Sequence, residues 1–147
     1  MSKGTTHSNV MDKDDITAFL AAYFPQIKEG GTELLVEAAG PMTARLRMVF
    51  NERFLRPGGT ISGPTMFMLA DVGLYVAILA QIGPVALAVT TNLNINFLQK
   101  PGHSDLIAEC RVLKLGKRLA VGDVSIFSAG NGVLVAHATG TYSIPAH

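Results

Sequence analysis

Between Pro57 and Gln99 the chain carries one charged side chain, Asp71. A carboxylate taken out of water without compensation costs several kcal/mol, so Asp71 needs a counter-charge, a proton or a task. In one reading it is half of an ion pair, with Arg56 or a neighbouring subunit supplying the other half. In the other it is a general base or nucleophile whose proton affinity is tuned by its surroundings. Just upstream, Leu55 to Pro64 (LRPGGTISGP) is a glycine-rich approach to a helix start. Amide N–H groups at such a start lack internal acceptors and can polarise a carbonyl or hold an anion. Gly63 allows a ligand to approach closely, whereas Pro64 has no N–H to offer. A donor at Gly63 and a carboxylate at Asp71 together suit acyl transfer, one polarising the carbonyl and the other activating water. The glycines alone fit a plain tight turn equally well; the pairing with Asp71 favours chemistry.

The elements that must position these groups are legible on either side. Pro64 opens, and Gly83–Pro84 close, an apolar helix of about 18 residues, close to the length that crosses a bilayer. No Lys/Arg cluster flanks it and an ionised Asp near its centre would be costly in lipid, so the expectation is a helix apolar all round because it is buried all round. Glu33–Glu37 and Thr43–Phe50 before it read as strands, as do Val85–Leu98, Asp105–Leu115, Leu119–Ser128 and Val133–Ile144 after it. Pro101–Gly102, Gly116–Lys117 and Asn131–Gly132 carry turn chemistry, the last predicting a type I′ hairpin. Near the amino terminus Met1 to Asp15 reads as a loose polar tail without a secretion signal. It leads to a short helix capped by Asp14 or Asp15, with an apolar stripe of Ile16, Phe19, Leu20 and Tyr23 and a stop at Pro25. The fold class is α+β, a long antiparallel sheet curled around one apolar helix. Residues 1–30 form the tail and short helix, and 31–147 the domain proper.

Composition narrows the field. With 147 residues, 48% hydrophobic and 16% charged, the chain has room for one domain and is too apolar for intrinsic disorder. A net charge of +1 leaves no broad footprint for nucleic acid. The single cysteine, Cys110, cannot form an internal disulfide, which fits a cytoplasmic protein. Four scattered histidines and one cysteine show no metal-ligand spacing. His103 reads as a turn residue and His137 as a satisfied core or interface histidine.

The segment PGGTISGPTMFMLAD resembles the hotdog-fold acyl-CoA thioesterases of the phenylacetate-degradation (PaaI-like) group. Their pattern runs Asn, then Gly-x-x-His-Gly-Gly, then Asp; Gly59, Gly63 and Asp71 stand at the matching positions. Further likeness runs through TTNLNINFLQKPG, LGKRLAVGDVSIF and VAHATGTYSIP, covering roughly Glu33 to Pro145. Arg56 replaces the Asn, Ser62 the His and Pro64 the second Gly.

The resemblance implies a hotdog fold and hydrolysis of an acyl-CoA thioester. Asp71 would be base or nucleophile, the Gly63 N–H the carbonyl donor and Thr90 an assisting hydroxyl. Arg56, Ser62, Pro64, Phe67, Met68 and Tyr75 would contact substrate, with Leu74 also in the pocket wall. Lys100, Lys117 and Arg118 would meet the CoA phosphates. It implies no metal, no cofactor beyond the substrate's own CoA, and a homodimer or homotetramer with the site at the subunit interface. The alternatives are a non-catalytic acyl-CoA or hydrophobic-ligand binding protein with Asp71 paired to Arg56, and a membrane-associated chain.

Overall fold

In the computed structural model, which describes residues 10–146, the alternating runs become strands whose apolar faces meet one helix. The strands are β1 (Leu34–Gly40), β2 (Thr43–Met48), β3 (Val89–Phe97), β4 (Leu106–Leu115), β5 (Leu119–Ser128) and β6 (Leu134–Ser143). They form a single six-stranded sheet in the order β1-β2-β4-β5-β6-β3, antiparallel throughout. The helices are α1 (Lys13–Tyr23) and α2 (Gly63–Ile82). Every second residue of the central strands turns inward: Ala44, Leu46 and Met48 on β2, Ala108, Cys110 and Val112 on β4, and Ala120, Val124 and Ile126 on β5 are all buried. The sheet curls around α2, the α+β hotdog arrangement expected.

From Leu69 to Gln81 every residue of α2 is buried except Asp71, which is half-buried. A helix so enclosed needs no polar stripe. It is long and apolar enough to cross a membrane, but its surface is covered by its own sheet. Close approach is secured by glycine: a Cβ at Gly73 would lie 2.6 Å from Cys110 Sγ, and one at Gly122 would lie 2.5 Å from the Arg111 carbonyl oxygen and collide with Leu74.

Several local expectations are corrected. α2 starts at Gly63, one residue before Pro64, because Ser62 caps it with Oγ accepting from the Thr65 N–H at 3.3 Å. α1 is capped by Asp12, which forms a reciprocal capping box with Asp15, so neither Asp14 nor Asp15 is the cap. Ile16, Phe19 and Leu20 are buried, but Tyr23 is 69% exposed. β3 begins at Val89, since 85–88 turn back through an Ala88 N–H to Val85 carbonyl bond of 3.2 Å. The β5–β6 connection is a longer loop than a type I′ turn: Gly132 (φ 71°) has a positive φ and Asn131 does not, and the Gly132 N–H closes onto the Ser128 carbonyl at 2.8 Å. The segment before residue 31 shares the core, for α1 packs on β1 and the Val10 and Met11 N–H groups both donate to the Ala80 carbonyl. Of the tail expected over Met1 to Asp15, the first nine residues lie outside the described residues, and 13–15 already belong to α1.

Candidate active site

Asp71 is the ninth residue of α2 and faces the start of β3 and the end of β6. Thr90 Oγ1 donates to its Oδ1 at 2.6 Å and the Tyr142 hydroxyl approaches the same oxygen at 2.8 Å. Tyr142 also lies 2.8 Å from the Asp71 backbone carbonyl, but a phenol has one proton, and the charged oxygen is the stronger acceptor. Burial pushes the Tyr142 phenol well above its usual range, the adjacent Asp71 charge adding to the rise, so it remains a donor. Both donors converge on Oδ1; among the described residues Oδ2 receives none. Asp71 lies on the wall of a cavity of about 410 Å³ together with Phe24, Tyr75, Tyr142 and Thr90. Tyr75 stacks on Tyr142 with ring centres 6.0 Å apart, and Phe24 meets Tyr75 edge-on at 6.1 Å.

Arg56 does not pair with Asp71 within the chain. Its Nε donates to the carbonyl of Pro57 at 3.1 Å, and it lies on the wall of a different cavity of about 590 Å³ together with Gly63, Pro64, Phe97 and Lys100. Gly63 occupies the first position of α2, where the helix supplies no acceptor for its N–H. It lies against the Phe97 ring: a Cβ added there would be 3.1 Å from Phe97 Cζ.

The two halves of the expected constellation are therefore apart. Eight residues of helix at 1.5 Å rise put the Gly63 and Asp71 backbones roughly 12 Å from each other, too far to act on one carbonyl group. They sit at opposite ends of β3, Asp71 with Thr90 and Gly63 with Phe97. That strand is the uncovered margin of the sheet, paired on one side with β6. Its sequence, VTTNLNINF, holds no charge and no proline to blunt the open edge. Exposed apolar side chains gather along it: Val89 is 51%, Phe97 52% and Leu98 51% accessible. The opposite margin, β1, is bulged between Val36 and Ala38 and covered by α1.

The remaining expected residues distribute as follows. Tyr75 borders the Asp71 cavity, and Arg56, Pro64 and Lys100 border the Gly63 cavity. Lys117 and Arg118 line a third cavity of about 700 Å³ near the C-terminal end of α2, with Ile82 and Leu115. Ser62 is engaged in capping and lines neither site cavity, nor does Phe67, exposed on the helix surface, or Met68, packed against the core. Leu74 is fully buried and cannot line a pocket; its side chain fills the space left by Gly122 and Gly140. His103 is a loop residue whose Nε2 lies 3.0 Å from the Gly59 carbonyl, and half-buried His137 sits 3.1 Å from Asp123 on the outer sheet face. Among the described residues no three of His, Cys, Asp and Glu are grouped to hold a metal. Sequence reasoning missed Tyr142. Its alternation with Gly140 and Ala138 on one face of β6 marks it as inward-facing, but nothing in that pattern pairs it with Asp71.

A family model described as the thioesterase superfamily matches residues 58–135, just over half of the chain, and the chain belongs to that superfamily. Membership carries the general class with it, a hydrolase acting on thioesters. Among solved structures, a candidate thioesterase from Silicibacter sp. TM1040 is 47% identical, each chain covering 96% of the other, with a TM-score of 0.86. A mutant of the phenylacetic acid degradation protein PaaI from Thermus thermophilus is 25% identical over 87% of this chain and 99% of that one, with a TM-score of 0.69. A candidate esterase from Saccharolobus solfataricus is 30% identical over 137 residues, 93% of this chain and 82% of its own length. The chain is a PaaI-like hotdog thioesterase by family and fold.

Proposed function

We propose that this protein hydrolyses an acyl-CoA thioester to free acid and CoA at a site completed by a second copy of the chain. The observation that carries the reading is the state of Asp71 on a cavity wall: one oxygen held by Thr90 and Tyr142, the other without a donor among the described residues. A carboxylate fixed through one oxygen is oriented without being neutralised by a cation, which suits a base or nucleophile. Two-fold antiparallel pairing of β3 with β3 of a second copy, centred on Asn94, brings Thr90 of each to the level of Phe97 of the other, because the bulge between Thr90 and Asn92 takes up one residue. Gly63, packed on Phe97, then arrives at Asp71 of the other copy and closes the roughly 12 Å gap of the single chain. The pairing also satisfies the open edge and covers its apolar side chains.

In this arrangement the Gly63 N–H of one copy holds the thioester carbonyl oxygen as it gains charge, and Thr90 and Tyr142 orient Asp71 of the other. Asp71 Oδ2 takes a proton from the attacking water, or attacks the carbonyl carbon itself. Along the first route the C–S bond breaks, the C–O bond from water replaces it, and the proton passes to the departing thiolate. Along the second the C–S bond gives way to an acyl–Asp71 anhydride, which water then hydrolyses, restoring the carboxylate and supplying the thiolate's proton. Lys100, Lys117 and Arg118 are the cations for the CoA phosphates. No cofactor beyond CoA is required, and a cytoplasmic setting fits a substrate of this kind. A homodimer is the least assembly that closes the site; a homotetramer would double it.

The test is thiol release from aryl-acetyl-, benzoyl- and C2 to C16 acyl-CoAs by wild type and Asp71→Asn. Turnover that disappears in a folded Asp71→Asn dimer supports the reading. Binding of acyl-CoA by the wild type with no turnover refutes it and leaves a ligand-binding protein.

A further inference from the structure

The composition of the Gly63 cavity says which acyl group it would take, an inference that rests on the thioesterase reading and deepens it. Its walls carry two cations, Arg56 and Lys100, and no Asp or Glu. Arg56 uses one donor, Nε, on the neighbouring Pro57 carbonyl; the rest of its guanidinium has no acceptor among the described residues. A guanidinium presents several N–H groups in a planar fork that matches a carboxylate. The rest of the wall is largely apolar, with Ile61, Pro64, Met66 and Phe97 beside the neutral polar Thr60 and Gln99.

The backbone that presents Arg56 is held. The Arg56 N–H donates to the Thr60 carbonyl and the Gly59 N–H to the Arg56 carbonyl, both at 2.9 Å, closing a tight loop. Gly58 (φ 102°) and Gly59 (φ 80°) supply its left-handed turn. His103, stacked on Phe50, ties the loop down through the Gly59 carbonyl. A backbone fixed in this way reduces the ordering cost when the side chain engages a ligand.

We infer that the acyl group ends in a carboxylate, so that the substrate class is the mono-thioester of a short dicarboxylic acid and Arg56 selects it. The competing source of negative charge is CoA. A carbonyl on the Gly63 N–H fixes the thioester inside the same 590 Å³ cavity as Arg56. The pantetheine arm separates thioester sulfur from the nearest CoA phosphate by a chain longer than such a cavity is wide. An acyl carboxylate is the anion that reaches Arg56 without leaving the cavity; a CoA phosphate would meet exposed Arg56, as it would Lys100 on the same wall, from the solvent side, and a phosphate-free carrier separates the two sources.

The experiment compares kcat/KM for malonyl, succinyl and glutaryl thioesters with neutral acyl thioesters of matched length, in wild type and Arg56→Gln. Each acyl group is presented both on CoA and on N-acetylcysteamine, which carries no phosphate. The expected result is a wild-type preference for a carboxylated chain that Arg56→Gln cuts by about tenfold or more on both carriers, the size of a lost hydrogen bond to a charged group. A carboxylated-to-neutral ratio unchanged by the substitution overturns the inference, because Arg56 then acts on Asp71 of the second copy or on the fold. An effect seen on CoA but absent on N-acetylcysteamine also overturns it and assigns Arg56 to a phosphate. Calorimetry of succinyl-CoA and valeryl-CoA on Asp71→Asn, with and without Arg56→Gln, reads the same preference without turnover. If no thioester is hydrolysed, the thioesterase reading fails while the calorimetric preference still decides the role of Arg56. Turnover of neutral chains without that preference sinks this inference alone.

Discussion

Replacing Tyr142 by Phe removes one hydroxyl and leaves the ring, which is 3% exposed and stacked on Tyr75 at 6.0 Å. What is lost is the 2.8 Å hydrogen bond to Asp71 Oδ1. Thr90 remains on the same oxygen at 2.6 Å, so the carboxylate keeps one of its two restraints. A hydrogen bond to a charged group contributes about 1.5–3 kcal/mol, and because Asp71 is half-buried, water can replace part of the lost contact. The lower end applies, about 1.5 kcal/mol, or about a tenfold fall in kcat. KM should change far less, since the hydroxyl is directed at the carboxylate and the ring still walls the cavity. Steady-state thiol release on the best acyl-CoA of the panel measures both constants, and circular dichroism and sedimentation confirm the fold and assembly. A kcat within twofold of wild type would refute the claim that two hydroxyls orient Asp71. A raised KM at constant kcat would make Tyr142 a substrate wall and no more.

Other outcomes follow from the same geometry. Mixing and reassembling Asp71→Asn with Gly63→Pro chains, each inactive alone, should restore about a quarter of the wild-type rate, because half the dimers are mixed and each mixed dimer has one intact site of two; no recovery would place both groups in one chain's site. Glu37 is held below its ordinary value of 4.5 by hydrogen bonds from Arg47 and then Arg45. For Asp123, burial acts to raise the carboxyl, but the bonds from Arg111 and His137 outweigh it and hold it below 3.8. The folded chain thus takes up these protons less readily than the unfolded one, so the stability they add is present above the ordinary carboxylate range and is lost as pH falls through the folded values. Thermal unfolding midpoints should be level from about pH 7 to 5 and drop below about pH 4, with a shallower drop in Glu37→Gln/Asp123→Asn. Gly122→Ala forces a Cβ against the Arg111 carbonyl and Leu74, and should cost about 1–3 kcal/mol in urea unfolding; an unchanged midpoint would mean that α2 is free to move away from β5.

The sequence by itself determined the class of fold and singled out Asp71 and Gly63 as residues able to carry chemistry. Alternation sets which face of each strand is apolar, an uninterrupted apolar helix must be enclosed, and a lone carboxylate within it requires a reason; each of these is local and readable in one dimension. The approximate extents of β2, β4, β5, β6 and α2 followed from that logic. Boundaries were less legible where a single hydrogen bond chooses among neighbours, as with Asp12 over Asp14 or Asp15 at the start of α1 and Ser62 ahead of Pro64 at the start of α2. Tertiary structure alone decided what surrounds Asp71. Tyr142 is 71 residues away in sequence and reaches it because β6 and β3 pair antiparallel on the flank of α2. It also decided that Arg56 turns from Asp71 to the Gly63 cavity, and that Leu74 belongs to the core when its sequence neighbour Tyr75 lines a pocket. Periodicity specifies that a face is buried, but not which distant strand covers it; that is set by the pairing of strands around the helix, and with it the difference between a buried side chain and one that borders a site.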